Sequence, residues 1–390
     1  MKKVATLDGI NIIDFTSMMA GPFASKILAD CGANVIKIEP LTGDYMRLRS
    51  PIREGRSTYY GQMNSGKQSI AIELKTPEGH QIALDLIAQA DVVIENFRPD
   101  VMAGLGLGYE TLSKSNPRLV FCSISGFGQK GKRARDPAYA PIIHAASGYD
   151  MAHLKYNEDR DRPATTGIFM ADVVAAIYAF GAIQTALLHR ERFGVGQHID
   201  VTLIDSMLNM LIFEMQEAQF KIEHRRPLYQ PLKALDGFVI VAPVSQKNFE
   251  NLAAAVERPE WVQDPRFSTI RAREQNWGLL MTLIEEWTQK RPSLECEEVL
   301  MKAGVPTSRY MTVAGLLADT EMVARGTYHR IEDKSGSFTV PRQPFQFSEA
   351  PVEPRTHVSD LGEDTVAVLS DVLHFSDARI SELRLKKVVL

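Results

Sequence analysis

The segment Pro163-Ala-Thr-Thr-Gly-Ile-Phe-Met-Ala-Asp-Val-Val-Ala-Ala176 carries one charged residue, Asp172, ahead of an apolar run that continues to Leu188. The pattern predicts a helix with a carboxylate in its first turn. There the helix dipole favours the ionised form, by about 0.3–1 kcal/mol at ordinary sites. An ionised, partly desolvated carboxylate that no Lys or Arg neutralises can act as a nucleophile. A plainer reading stands beside it, because a first-turn Asp commonly satisfies free backbone N–H groups as a cap. The segment alone does not separate the two.

Other stretches could hold a ligand. Gly126-Phe-Gly-Gln-Lys-Gly131 spells a Gly-rich phosphate fingerprint, but that motif needs an apolar helix opening directly after it. Here Lys132-Arg-Ala-Arg-Asp-Pro137 follows, which argues against a dinucleotide and leaves a basic loop that could face phosphates. Lys67, Lys75, Arg47 and Arg98 could together offer point charges to a phosphorylated ligand, although each taken singly reads as a solvated surface charge. Asn96-Phe97-Arg98-Pro99 follows an apolar strand pattern, where a ligand would dock. Tyr139 reads by default as a core tyrosine with a polar tip. His144 lies on an apolar helical face and reads as a core histidine. There is no G-x-S-x-G signature and no histidine or cysteine spacing that suits a metal.

The elements that would position these residues alternate. Gly9–Phe15, Asn34–Glu39, Ser69–Leu74, Asp91–Glu95 and Leu119–Ser125 read as strands. Helices are expected from Pro22 to Cys31 and from Thr76 to Ala90. This alternation predicts a doubly wound, Rossmann-like α/β sheet with ligands beyond the C-terminal strand ends. A further strand, His198–Thr202, and a helix, Leu203–Phe213, follow the apolar run. Residues 1–218 are read as this large domain and 219–235, with Pro227 and Pro231, as a linker. Residues 236–325 form a smaller, more helical α+β domain. The Pro-rich segment 326–390 is read as crossing a surface and returning to the large domain, with closing helices at Glu363–Leu373 and Ser376–Leu385.

The totals exclude several classes. A chain of 390 residues is too long for one small core. Charged residues are 24% and the net charge is −4, so neither nucleic acid nor a membrane surface is an expected partner. The three scattered cysteines suggest a reducing compartment, and no apolar leader follows Met1, so a cytoplasmic location is expected.

Several stretches together resemble one family, the class III CoA-transferases (the CaiB/BaiF family), which include formyl-CoA transferase and carnitine CoA-transferase. They are Leu7-Asp-Gly-Ile-Asn-Ile-Ile-Asp-Phe15, Ala20-Gly-Pro22, Gly32-Ala-Asn-Val-Ile-Lys-Ile-Glu39, Glu95-Asn-Phe-Arg-Pro99, Ser125-Gly-Phe-Gly128, the Tyr139–Gly148 helix and Gly194-x-Gly-Gln197. The resemblance implies a large α/β domain built from both chain ends, a smaller domain and a ring-like subunit interlocked in a homodimer. It places the family's catalytic aspartate on Asp172, and CoA contacts on Met19, Ala20, Ile72, Lys75, Asn96, Phe97, Arg98 and Tyr139, with Arg47 as a phosphate partner. It implies acyl-CoA and a small carboxylic acid as substrates, succinyl-CoA among the donors, and no permanently bound cofactor or metal. The implied reaction runs through an aspartyl anhydride and an aspartyl-CoA thioester. Two positions depart from formyl-CoA transferases, which carry Gln at Met19 and Glu at Ala140, and their small-domain Gly-rich loop is missing between Leu235 and Ser245. The same fold serves 2-methylacyl-CoA racemases, which place a His near Tyr139. A CoA-binding protein without turnover is the third reading.

Overall fold

Six short runs rich in Val and Ile form one sheet in the computed structural model, which describes residues 3–157, 160–221 and 227–390. They are β1 (Asn11–Asp14), β2 (Asn34–Glu39), β3 (Gln68–Ala71), β4 (Val92–Glu95), β5 (Val120–Ser125) and β6 (His198–Thr202). Every pairing is parallel, in the order β3-β2-β1-β4-β5-β6. A parallel sheet is covered on both faces, so its strands read as unbroken apolar runs; β5 is buried at every position. The order reverses between β1 and β4, which opens a crevice beyond their C-terminal ends.

Helices α1 (Ala20–Asp30), α2 (Thr58–Asn64), α3 (Pro77–Ala88), α4 (Ala140–Ala146), α5 (Met170–Phe193) and α6 (Leu203–Met210) belong to the same unit. The start of α3 shows how sequence sets a boundary. Thr76 Oγ1 accepts the Gly79 N–H at 3.0 Å, and Pro77 occupies the first helical position, where no N–H is needed. On one face Ala24 and Leu28 of α1 share a core with Ala175, Ala179 and Ile183 of α5 and with Ile12, Ile94 and Cys122 of the sheet. The alanines let α1 and α5 approach closely. Among the described residues α5 is the one helix long and apolar enough to cross a membrane, by length and composition only. Its alanine stripe is buried in this core, while Ile177, Tyr178 and Leu188 are exposed. On the other face Ile82 and Leu86 of α3 meet Ile13, Ile38 and Val93, together with Leu369 and Leu383 from the C-terminal segment. Gly196 is required by contact: a Cβ there would lie 2.1 Å from the Leu119 carbonyl oxygen.

By contacts the chain divides into Met1–Met215 with Gly326–Leu390, and Gln216–Arg325. The Pro-rich segment is more ordered than a surface crossing. It contains an antiparallel hairpin, Tyr328–Asp333 with Gly336–Pro341, whose Ile331 and Val340 join a core with Met46, Tyr60 and Met63. The expected Glu363–Leu373 helix is a short turn, Thr365–Ala367, continued by a π-helical turn, Val368–Val372.

The second unit holds a three-stranded antiparallel sheet, Thr307–Arg309, Phe238–Val241 and Leu232–Lys233, around a core of Phe249, Phe267, Leu280 and Leu300. Leu232–Lys233 lies inside the stretch read as a linker, so that stretch supplies a strand to this sheet; its residues 222–226 lie outside the described residues. Two helices, Ile270–Gln275 and Trp277–Thr288, follow one another across Asn276.

Candidate active site

The crevice at the β1/β4 reversal is built from strand-end residues that face inward. Asp14 ends β1 and is fully buried. Burial alone would raise its carboxyl, but Lys67, Lys37 and the hydroxyls of Ser25 and Thr16 hold it down at about 2. One oxygen accepts the Thr16 N–H at 2.7 Å, and the other pairs with Lys67 Nζ at 3.1 Å. The Thr16 carbonyl in turn accepts from Lys37. The turn that follows is therefore fixed from below. It carries Met18 in a left-handed conformation, φ 67°, which a non-Gly residue holds only when its surroundings impose it. The Met18 N–H points to Asp44 Oδ1 at 3.3 Å.

Asn96, the first residue after β4, reaches across the reversal. Its amide oxygen accepts the Ser17 N–H and its amide nitrogen donates to the Ser17 carbonyl, both at 2.8 Å. Glu95 behind it accepts the Phe97 N–H at 2.8 Å, and burial pushes its carboxyl up to about 7 against the opposing hydrogen bonds. These bonds lock two strand-end loops together. α1 begins directly after the turn, with no side-chain cap at Met19. No acceptor among the described residues meets the N–H groups of Met19 or Ala20.

Ser17, Met18, Ala20, Asn96, Phe97, Arg98, Tyr139 and Asp172 line one pocket that encloses about 840 Å³ of space open to solvent. Asp172 is half-buried at the start of α5. Burial pushes its carboxyl up to about 6, and no hydrogen bond or ion pair among the described residues opposes the shift. Here the sequence reading is corrected in its physics. Burial acts against the ionised form that the helix start favours, and Asp172 is not the cap of its own helix. Tyr59 on α2, invisible in the sequence because no local pattern marks it, is raised by burial and then by the Asp172 charge, which places the phenol in that carboxylate's field. Its hydroxyl donates to Met19 Sδ at 3.2 Å.

The expected ligand residues separate into groups. Ala20, Asn96, Phe97, Arg98, Tyr139 and Asp172 come together around the pocket; Met19 does not line it, but its Sδ accepts from Tyr59. Tyr139 is 64% exposed, so the core reading fails: it is the N-cap of α4 and lines the pocket. Arg98 is exposed and has no carboxylate partner among the described residues. Ile72 is buried beyond β3, where it bridges to Val389, and Lys75 is exposed in the loop that follows; neither lines the pocket.

Arg47 is corrected. Its guanidinium forms a two-pronged bond to Glu39, at 2.8 and 2.7 Å, and donates to Tyr60 Oη at 2.6 Å. It lines a different cavity, where Arg56 is likewise paired, with Asp360. A guanidinium so committed offers little to a phosphate. The Gly126–Gly131 loop also turns inward: the Gly128 N–H donates to Ser125 Oγ and the Gln129 N–H to Asp200 Oδ2. No helix opens until Ala140, so it is no dinucleotide cradle. Arg133 stacks on Phe127 and pairs with Asp136.

Fold and site together define a doubly wound α/β protein that presents an unpaired carboxylate to a small-molecule crevice at the point where its strand order reverses. The family model described as CoA-transferase family III matches residues 7–365. Succinyl-CoA:glutarate CoA-transferase of Homo sapiens is 30% identical, covering 98% of this chain and 90% of its own. Acetyl-CoA:oxalate CoA-transferase of Acetobacter aceti is 36% identical over 89% of this chain and 90% of its own. A CaiB/BaiF family protein from Brucella suis, solved by crystallography, is 34% identical with a TM-score of 0.83, covering 95% of this chain and all of that one. The chain belongs to CoA-transferase family III.

Proposed function

We propose that this enzyme moves CoA from succinyl-CoA to a short dicarboxylate or hydroxycarboxylate, with Asp172 as nucleophile. The observation that carries the reading is the Asp172 carboxylate itself, half-buried, unpaired and facing the pocket. The names of the relatives support the donor and the acceptor class.

In the first step an Asp172 oxygen bonds to the thioester carbonyl carbon. The C–S bond breaks, giving an aspartyl–acyl anhydride and CoA thiolate. The thiolate then attacks the aspartyl carbonyl and expels the donor acid, which leaves an aspartyl-CoA thioester. An acceptor carboxylate attacks that thioester and releases the thiolate, which takes the acceptor's acyl group and frees Asp172. A carboxylate suits this sequence because an anhydride retains the acyl-transfer potential of the thioester. Each tetrahedral oxyanion needs donors, and the free N–H groups of Met19 and Ala20 supply them. Such a donor is worth about 2.7–4 kcal/mol where measured.

The CoA contacts in this reading are Met19, Ala20, Phe97, Arg98 and Tyr139 around the pocket, with Ile72 and Lys75 farther toward the nucleotide. Arg98 offers the charge for a phosphate. Asn96 contributes through the Ser17 turn. The enzyme is read as an interlocked, ring-like homodimer in the cytoplasm. The exposed Ile177, Tyr178, Leu188 and Phe193 of α5 favour a partner copy, and three buried, unpaired cysteines suit a reducing compartment. The racemase reading gains no support, since among the described residues no histidine lines the pocket and Nε2 of His144 already holds the Ala171 N–H.

The test is an exchange assay read by mass spectrometry, with succinyl-CoA, a pool of small acids, and Asp172→Ala alongside. New acyl-CoA species made by the unaltered protein alone support the transferase. Solvent deuterium entering the α-carbon of a 2-methylacyl-CoA would instead favour the racemase, and CoA binding without exchange the non-catalytic reading.

A further inference from the structure

Helix starts leave their first N–H groups without partners, and an Asp in the third helical position can fold back onto them. Met170 is the first helical residue of α5, so Asp172 holds that third position. Its carboxylate makes no such bond. Other groups have taken two of these donors. The Met170 N–H meets the Ile168 carbonyl at 3.0 Å. The Ala171 N–H donates to His144 Nε2 at 3.1 Å. His144 comes from α4 and is completely buried.

We propose that His144 caps α5 in place of Asp172, and so keeps the Asp172 carboxylate off the backbone and open to the pocket. The catalytic consequence rests on the reading of Asp172 as nucleophile. His144 is a positioning residue, since it touches the nucleophile's helix and not the substrate.

The chemistry of the ring fits the role. Because Nε2 accepts, the ring proton is assigned to Nδ1, which is buried without a hydrogen-bond partner. The Ala171 bond is thus the ring's only hydrogen bond among the described residues. Burial lowers the imidazole's pKa, opposed by Asp150, and so favours the neutral, accepting form. A protonated ring would turn a donor toward the Ala171 donor.

Tyr59 from α2 lies in the field of the Asp172 charge, and Arg98, Asp136 and Tyr139 line the same pocket. The charged residues of neighbouring elements are otherwise engaged: Lys26 with Asp30 on α1, Asp205 of α6 with Thr202, and Asp200 of β6 with the Gln129 N–H. Removing the imidazole therefore frees one donor within reach of the carboxylate. Folding back onto it would stabilise the charged form and withdraw the oxygens from the pocket.

The experiment compares the full-length protein with His144→Leu, His144→Asn and His144→Gln. Gln reaches the Nε2 position with an acceptor; Asn reaches only the Nδ1 position. The Asp172 carboxyl is titrated by carbon-13 NMR, with Asp172→Asn assigning the signal, and turnover is measured beside it. In His144→Leu and His144→Asn the midpoint should fall by about one pH unit or more. Turnover should fall by about tenfold or more, since small misplacements of a reacting group are costly. His144→Gln should restore both. A folded His144→Asn or His144→Leu whose midpoint and turnover match the parent overturns the proposal, as does a Gln variant no better than Asn. Because the titration needs no activity, a parent protein that fails to exchange CoA while its Asp172 midpoint still responds to His144 would sink the nucleophile reading and leave the cap standing.

Discussion

Asp172→Asn should make this protein more stable while abolishing its activity. Burial raises the Asp172 carboxyl from 3.8 to about 6. Between those values the folded state binds more protons than the unfolded chain, so stability falls as pH rises through that window and the full cost is present above about pH 6. At about 1.36 kcal/mol per unit, the cost approaches about 3 kcal/mol at pH 8 and about half of that at pH 5. Asn keeps the shape and removes the charge, so it recovers that energy. Two contact units make a single denaturation midpoint ill defined. Hydrogen exchange at the buried amides of β1, β4 and β5 reports the opening of the relevant unit alone. The protection gained by Asp172→Asn should be larger at about pH 8 than at about pH 5 by the ratio above. Equal or lower protection at the higher pH would mean that the carboxylate holds its helix together, and the nucleophile argument would lose its physical basis.

Three further outcomes follow from the same geometry. The rate of the donor half-reaction, measured without an acceptor acid, should show an acid limb centred near the Asp172 value of about 6, because only the ionised carboxylate attacks; a limb near the ordinary carboxyl value contradicts this. Asn96→Ala removes both bonds to the Ser17 backbone. Turnover should fall about tenfold to a hundredfold with little change in the KM for acyl-CoA; steady-state kinetics showing the reverse split would make Asn96 a direct ligand contact. Arg47→Met takes from buried Glu39 its ion-pair partner and two of its charge-assisted hydrogen bonds, leaving the donors from Tyr60, Ser69 and the Asp44 N–H. It should cost about 3–5 kcal/mol in melting experiments, while calorimetry on the folded protein shows CoA affinity unchanged.

The sheet was legible because parallel strands buried on both faces leave unbroken runs such as Val120–Ser125, and because Thr76-Pro77 announces a helix start. Asp172 was legible as a candidate from its isolation in an apolar stretch and from the family it resembles. Its environment was not. It includes Tyr59, which feels the Asp172 charge, and His144, which holds the Ala171 N–H; both are far away in sequence and reach the site only through α2 and α4. The same limit applies to Arg47, whose commitment to Glu39 follows from the fold of β2 and the turn after it. The hairpin Tyr328–Pro341 was missed because the prolines around it suggested an irregular path, although its alternation of inward Ile331 and outward Glu332 is a strand pattern. The free N–H groups of Met19 and Ala20 have no signature at all, since backbone donors are made by geometry and not by residue type.

The central claim is that Asp172 carries the acyl group and then CoA. Turnover of succinyl-CoA in the presence of hydroxylamine, followed by peptide mass spectrometry, tests it most directly. A hydroxamate on Asp172, dependent on acyl-CoA, is the expected result. Robust CoA exchange with Asp172 unmodified, or with the adduct on another carboxylate, would contradict the account.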